Sequence, residues 1–171
     1  MKSFPILNTE KLILRQLADG DAVEVFALRS DAQINKYLDR QPCHTLEDAI
    51  KFIGKIKSNN QPYWAITQKG NEKLVGTISL FNLIEEQRTC EIGYELLTEF
   101  QGKGIMRAAA TTVIDYAIHT LGLKTVDAYT HKDNQSSANL LRKLDFKCIS
   151  SVEQQNADLI LFRLNSRKID Q

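Results

Sequence analysis

A chain of 171 residues with an apolar share of 43% and a charged share of 25% has the make-up of one soluble globular domain, expected to span 1–171. Its net charge of +1 offers no basic field for nucleic acid, and no apolar run reaches the length of a membrane span. Cys43, Cys90 and Cys148 are too few and too scattered for a disulfide framework, and Cys43-His44 has no partner at zinc-ligand spacing. Reduced thiols, no metal, no secretory signal and a cytoplasmic location are therefore expected.

Residues 12–17 (LILRQL) alternate and predict a first strand. Asp19 or Asp21 stands where it can cap a helix running to about residue 28, and residues 30–38 predict a second, short helix. After Pro42, the run Thr45-Leu46-Glu47-Asp48 reads as a capping box with aspartate in its last position, opening a helix to about residue 58. Asn59-Asn60-Gln61-Pro62 ends it. Strands at 63–67, 73–83 and 88–97 follow as an antiparallel meander, in which period two puts Leu74, Gly76, Ile78 and Leu80 on one face. Residues 104–121 predict a helix apolar around most of its circumference, with Arg107, Thr111, Asp115 and His119 as its polar stripe and Gly122 as a left-handed C-terminal cap. A strand at 125–130, a helix at 134–144 and strands at 146–153 and 158–164 complete the chain. The strand–helix–strand unit across 91–130 needs a crossover, which allows parallel pairing there. The expected fold class is α+β: a mixed, mostly antiparallel central sheet flanked by helices.

The stretch with the most chemical content is the turn Gln101-Gly102-Lys103-Gly104-Ile105-Met106. Two glycines allow a sharp bend and a close backbone approach to a ligand. The helix that follows leaves its first N–H groups without partners, and its dipole favours an anion there. Lys103 adds a cation, so the turn suits a pyrophosphate.

The stretch EIGYELLTEFQGKGIM resembles motif A of the GNAT superfamily of acyl-CoA-dependent N-acetyltransferases, Gln/Arg-x-x-Gly-x-Gly/Ala. Gln101 and Gly104 match, while Met106 stands where Gly or Ala is usual. EIGYELL and GKGIM together look like the branch that acetylates the N-termini of ribosomal proteins. A second run, from His131 to Phe146, resembles that branch's N-x-x-S-x-x-x-x-x-K-x-G-F pattern through Asn134, Ser137, Lys143 and Phe146. Asp145 replaces the usual glycine, and aspartate tolerates a left-handed backbone better than most residues.

The resemblance implies two strands splayed beside motif A to admit acetyl-CoA, the cosubstrate. Pantetheine would be held by backbone groups of Leu96, Leu97 and Thr98, the pyrophosphate by residues Gln101, Gly102, Lys103, Gly104, Ile105 and Met106, and the arm again by Asn134. It also implies a bulge at 96–98 that frees an N–H for the thioester oxygen, and Ser137 as proton donor to the leaving thiolate. Gly93 would leave room beside the reacting centre.

For the base, Thr89, Glu91, Gly93 and Glu95 share one strand face, with Glu91 favoured and Glu95 in reserve. Cys90 reads as a buried apolar residue. An α-amine near pKa 8 is roughly a tenth neutral at pH 7, whereas a lysine side chain is neutral at only about a few parts in ten thousand. A site with one modest carboxylate therefore suits a protein N-terminal α-amine. Acetylation of a small amine (a polyamine, an antibiotic or an amino-acid derivative) is the alternative, and the short segment 150–157, followed by Asp158, Phe162 and Leu164, leaves it open. A non-catalytic acyl-CoA-binding module is a third reading. The expected assembly is a monomer or homodimer, with no nucleic-acid or membrane partner. Tyr37, Tyr63 and Trp64 are placed either in the core or along the acceptor side.

Overall fold

The strands that alternation picks out all join one sheet in the computed structural model, which describes residues 4–59, 61–149 and 157–166. Among these residues eight strands stand in the order β1-β2-β3-β4-β5-β6-β8-β7. They are β1 (Leu7–Asn8), β2 (Leu12–Gln16), β3 (Tyr63–Gln68), β4 (Asn71–Ile84), β5 (Thr89–Leu96), β6 (Thr125–His131), β7 (Lys147–Ile149) and β8 (Leu159–Asn165). Only β5 and β6 run parallel; the other neighbours are antiparallel. The helix between β5 and β6 supplies the crossover that a parallel pair requires. The remainder of the strand predicted over 146–153, and most of the short segment 150–157, lies outside the described residues.

Among the described residues five α-helices cover the two faces: α1 (Ala22–Ser30), α2 (Ala32–Asn35), α3 (Leu46–Ser58), α4 (Ile105–Asp115) and α5 (Gln135–Lys143). One core layer joins Trp64, Ile78, Leu80, Ile92 and Phe162 to Ala109, Val113 and Leu141, so α4 and α5 lie on the same side. The other joins Ala65 and Leu74 to Val25, Leu28 and Ile53, so α1 and α3 cover the opposite face. Trp64 is completely buried under α4, edge-on to Phe4 and Tyr116, with its indole N–H donating to Pro5 O at 2.8 Å. It packs the core and does not line an acceptor site.

Local signals set most element ends. Thr45 Oγ1 accepts the Asp48 N–H at 3.2 Å and Asp48 Oδ2 accepts the Thr45 N–H at 3.0 Å, the expected reciprocal box. Gly122 closes the long helix at φ +67°, after a wider π-type turn over Tyr116–Thr120, and Asp145 adopts φ +66° after α5. Asp21, by contrast, does not cap α1. Its carboxylate takes both guanidinium arms of Arg15 at 2.8 Å and the Ala18 N–H at 2.8 Å, which fastens β2 to the turn before α1. The second helix is shorter than expected, Ala32–Asn35, with Asp31 accepting from Gln33 and Ile34.

The shared face predicted for β4 is broken. Register slips between Ile66↔Gly76 and Thr67↔Leu74, so Leu74 packs with α1 and α3 while Ile78 and Leu80 face α4. An extra residue in one strand turns every side chain beyond it to the other face. Gly76, just past the slip, lets β4 approach the end of β5 closely. A methyl group there would stand 2.4 Å from Glu95 O and 2.7 Å from Leu96 Cδ1. Gly76→Ala is expected to destabilise the fold by roughly 1–3 kcal/mol, read as a lower urea midpoint at unchanged slope.

Candidate active site

The sheet opens between β5 and β6. They pair through Thr89↔Thr125, Cys90↔Val126 and Glu91↔Asp127, and the ladder goes no further although both strands continue. Leu97 N–H donates to Val75 O at 2.9 Å on the β4 side. Alternation then turns the backbone N–H and C=O groups of Ile92, Tyr94 and Leu96 toward the opening. These are backbone donors and acceptors lining a slot beside a parallel pair, a geometry that fits an extended amide-bearing chain.

The predicted bulge at 96–98 is absent. Pairing is regular from Gly76↔Leu96 to Phe81↔Glu91, and the slip lies in β4 between Phe81 and Ile84, where Asn82 takes φ +48°. The splay therefore comes from β5 parting from β6, and the N–H groups facing it belong to alternate residues of a regular strand. Of the three residues expected to hold the arm, Leu96 faces the slot, Leu97 has its N–H committed to β4, and Thr98 opens the short 3-10 turn Thr98–Phe100.

The glycine turn follows. Gln101 Nε2 donates to Leu96 O at 3.0 Å and braces the turn against the strand. Gly102 and Gly104 take φ +74° and +77°, and a Cβ on either would meet nothing within 4 Å. The turn is thus open above two left-handed residues. The first helical bond of α4 runs from Ala108 N–H to Gly104 O at 3.1 Å, leaving the N–H groups of Ile105, Met106 and Arg107 without helix partners. The Ile105 and Met106 side chains are buried in the α4-side core, so Met106 presents its amide to the turn and keeps its bulk out of it. Lys103 Nζ lies 5.6 Å over the Phe100 ring. Open space, free amides, a helix N-terminus and a cation together fit a pyrophosphate.

On the α5 side, Asn134 Oδ1 caps the helix by accepting the Ser137 N–H at 3.1 Å. The Ser137 and Tyr94 hydroxyls are 2.9 Å apart, which joins β5 to α5 across the opening. Burial pushes the Tyr94 phenol up to about 12, so it keeps its proton throughout the neutral range. Like Arg40, Tyr94 is a residue that sequence reasoning passed over. It stands inside the EIGY run, but one position out of phase with Glu91, Gly93 and Glu95.

Those three lie on the opposite face. Glu91 is partly buried and accepts from Asn82 Nδ2 at 2.9 Å. Gly93 makes room for an aromatic ring, since a Cβ there would stand 3.0 Å from Phe81 Cε1. The space it was expected to leave beside the reacting centre is filled by Phe81. Glu95 is only 8% exposed and forms a short ion pair with Arg40. Thr77 Oγ1 donates to its other oxygen at 3.2 Å, and the Tyr63 hydroxyl lies 3.2 Å from Thr77 Oγ1. Burial raises the Tyr63 pKa, with Glu95 adding to the effect. Arg40 Nε in turn donates to Asn35 Oδ1 at 2.7 Å.

The segment after α2 straps this face. Tyr37 stacks on His131 at 5.0 Å, at the end of β6, while Arg40 reaches Glu95 on β5. One loop thus touches both lips of the opening. Cys90 is 2% exposed and its thiol is pushed up to about 12 by burial, then by Asp127 and Glu91, which leaves it a packing residue. Among the described residues no group of three His, Cys, Asp or Glu side chains could hold a metal ion, and no helix is long and apolar enough to cross a membrane.

Residues 11–147 match the Acetyltransferase (GNAT) domain family. The uncharacterized N-acetyltransferase YoaA of Bacillus subtilis is 34% identical over 148 residues, covering 84% of each chain. The spermidine N(1)-acetyltransferase of Vibrio cholerae is 22% identical over 136 residues, covering 80% of this chain and 79% of its own. Among solved structures, the RimL ribosomal L7/L12 alpha-N-protein acetyltransferase in complex with coenzyme A superposes with a TM-score of 0.78 at 20% identity, over 94% of this chain and 98% of that one. The chain belongs to the GNAT acetyltransferase family. It is an acetyl-CoA-dependent N-acetyltransferase, and its opening between β5 and β6 with the glycine turn at 101–106 fits the cosubstrate that family uses.

Proposed function

We propose that the acceptor is the α-amine of a protein or peptide N-terminus. The observation that carries this reading is the state of the two carboxylates on the face of β5 opposite Tyr94, the side from which the acceptor would enter. Glu95 is neutralised by Arg40, and Glu91 is held by the neutral amide of Asn82. One carboxylate is then available to take a proton, with none left over to balance a second positive charge on the acceptor. An α-amine, roughly a tenth neutral at pH 7, needs no more than that.

Bound acetyl-CoA supplies an acetyl group activated as a thioester. The amides of Ile105, Met106 and Arg107, with Lys103, hold its pyrophosphate, and backbone groups of Ile92, Tyr94 and Leu96 orient the pantetheine arm with help from Asn134. Glu91 takes the proton from the incoming ammonium, directly or through one water. Ser137 Oγ, with the protonated Tyr94 hydroxyl behind it, holds the proton that a leaving thiolate requires.

A thiol-release assay with acetyl-CoA tests the reading, screening Ala- and Ser-initiated peptides beside spermidine and an aminoglycoside. Higher kcat/KM on the peptides is expected. Turnover on the small amines alone would overturn it. The spermidine-acetylating relative makes a polyamine the second reading, and the same screen decides between the two.

A further inference from the structure

We propose that Arg40 is a specificity-determining residue that excludes polycationic acceptors by occupying the carboxylate of Glu95; the inference rests on the N-terminal reading above. Glu95 projects from β5 onto the same face as Glu91, four residues on, under the strap that carries Arg40. It is buried, and Arg40 and Thr77 together engage both its oxygens. A polyamine presents one neutral amine for reaction while its other amines remain charged near pH 7. Each charged amine drawn into a partly desolvated site needs a counter-charge. Glu95 is the buried carboxylate on this face, and Arg40 is already there.

The surroundings keep Arg40 in place. Its Nε is fixed by Asn35, whose own amide donates to Leu28 O at 2.9 Å and Asp31 O at 2.7 Å, so the guanidinium is anchored to the α1–α2 corner. A second guanidinium, Arg29, packs 4.0 Å over the Phe52 ring, reaches Gln41 O on the strap at 3.4 Å, and leaves its buried Nε without a partner. Phe52 in turn meets Tyr63 edge-on. This wall therefore carries two arginines against one neutralised carboxylate. It repels an added ammonium.

The test is the ratio of kcat/KM for spermidine to that for an Ala-initiated peptide. In Arg40→Met the freed carboxylate should raise this ratio by about ten-fold or more over the wild type. Glu95→Gln, which leaves the arginine unpaired, should lower it. Arg40→Met combined with Glu95→Gln should return it toward the wild-type value, and Arg40→Lys should hold it low. A folded Arg40→Met with an unchanged ratio overturns the inference and leaves the N-terminal reading intact. Wild-type enzyme that prefers spermidine overturns both. If Arg40→Met does not fold, Glu95→Gln decides, since an unmoved ratio in that variant also overturns the inference.

Discussion

Gly104→Asp is expected to weaken acetyl-CoA binding by about a hundred-fold or more, with the protein still folded. Gly104 stands at φ +77° immediately before α4, above open space and against the first free amides of the helix. A Cβ here meets no atom within 4 Å, so the fold loses only the strain of a left-handed residue, roughly 1 kcal/mol. The ligand loses far more, because the new carboxylate takes the position of the pyrophosphate and binds the same N–H groups. Calorimetric titration with coenzyme A measures the effect. Gly104→Ala separates the two contributions, since it carries the same backbone strain without the charge. Loss of affinity in both variants to the same extent would place the requirement in the backbone conformation. Retained affinity in Gly104→Asp would remove the pyrophosphate from this turn.

Glu91→Gln is expected to lower turnover by about 10²–10³-fold, most strongly at low pH. The acceptor amine is protonated there and depends on a carboxylate to become a nucleophile. As pH approaches the amine's own pKa the neutral form supplies itself, and the ratio of wild-type to variant rates should shrink. Asn82 donates to Glu91 from its amide nitrogen, and a glutamine at 91 can still accept that bond, so the local fold is preserved. The pH–rate profile of the two proteins is the measurement. Parallel profiles would assign proton removal to water or to another group.

Much of this was legible because its cause is local. The Thr45–Asp48 box, the left-handed Gly122 and Asp145, the glycines of the turn and the alternation of the strands all depend on residues a few positions apart. What escaped has long reach or breaks a count. The bulge beside Leu74 is one extra residue in a strand, and period two carries no mark of it. Asp21 looks like a helix cap, but Arg15 offers two charged bonds against the single neutral bond of a cap. Arg40 and Glu95 are 55 residues apart, and Tyr94 and Ser137 are 43 apart. Alternation places Glu95 and a motif picks out Ser137, but neither marks Arg40 or Tyr94, and only the closed sheet reveals that Glu95 is neutralised and that Ser137 has a second hydroxyl behind it.

The strand order has a consequence for how the molecule comes to be made. β8 lies between β6 and β7, pairing with β6 along its whole length from Thr125↔Asn165 to His131↔Leu159. A chain emerging from the ribosome therefore presents β6 with one edge bare while α5 and β7 are synthesised, and β7 has no neighbour in the sheet until β8 arrives. The lip of the cleft that carries His131 and α5 is therefore fixed only once β8, which follows both in sequence, has paired. During that interval the bare edge is open to pairing with another nascent copy. Pairing of β8 with β6 is thus the step that completes this lip of the cleft.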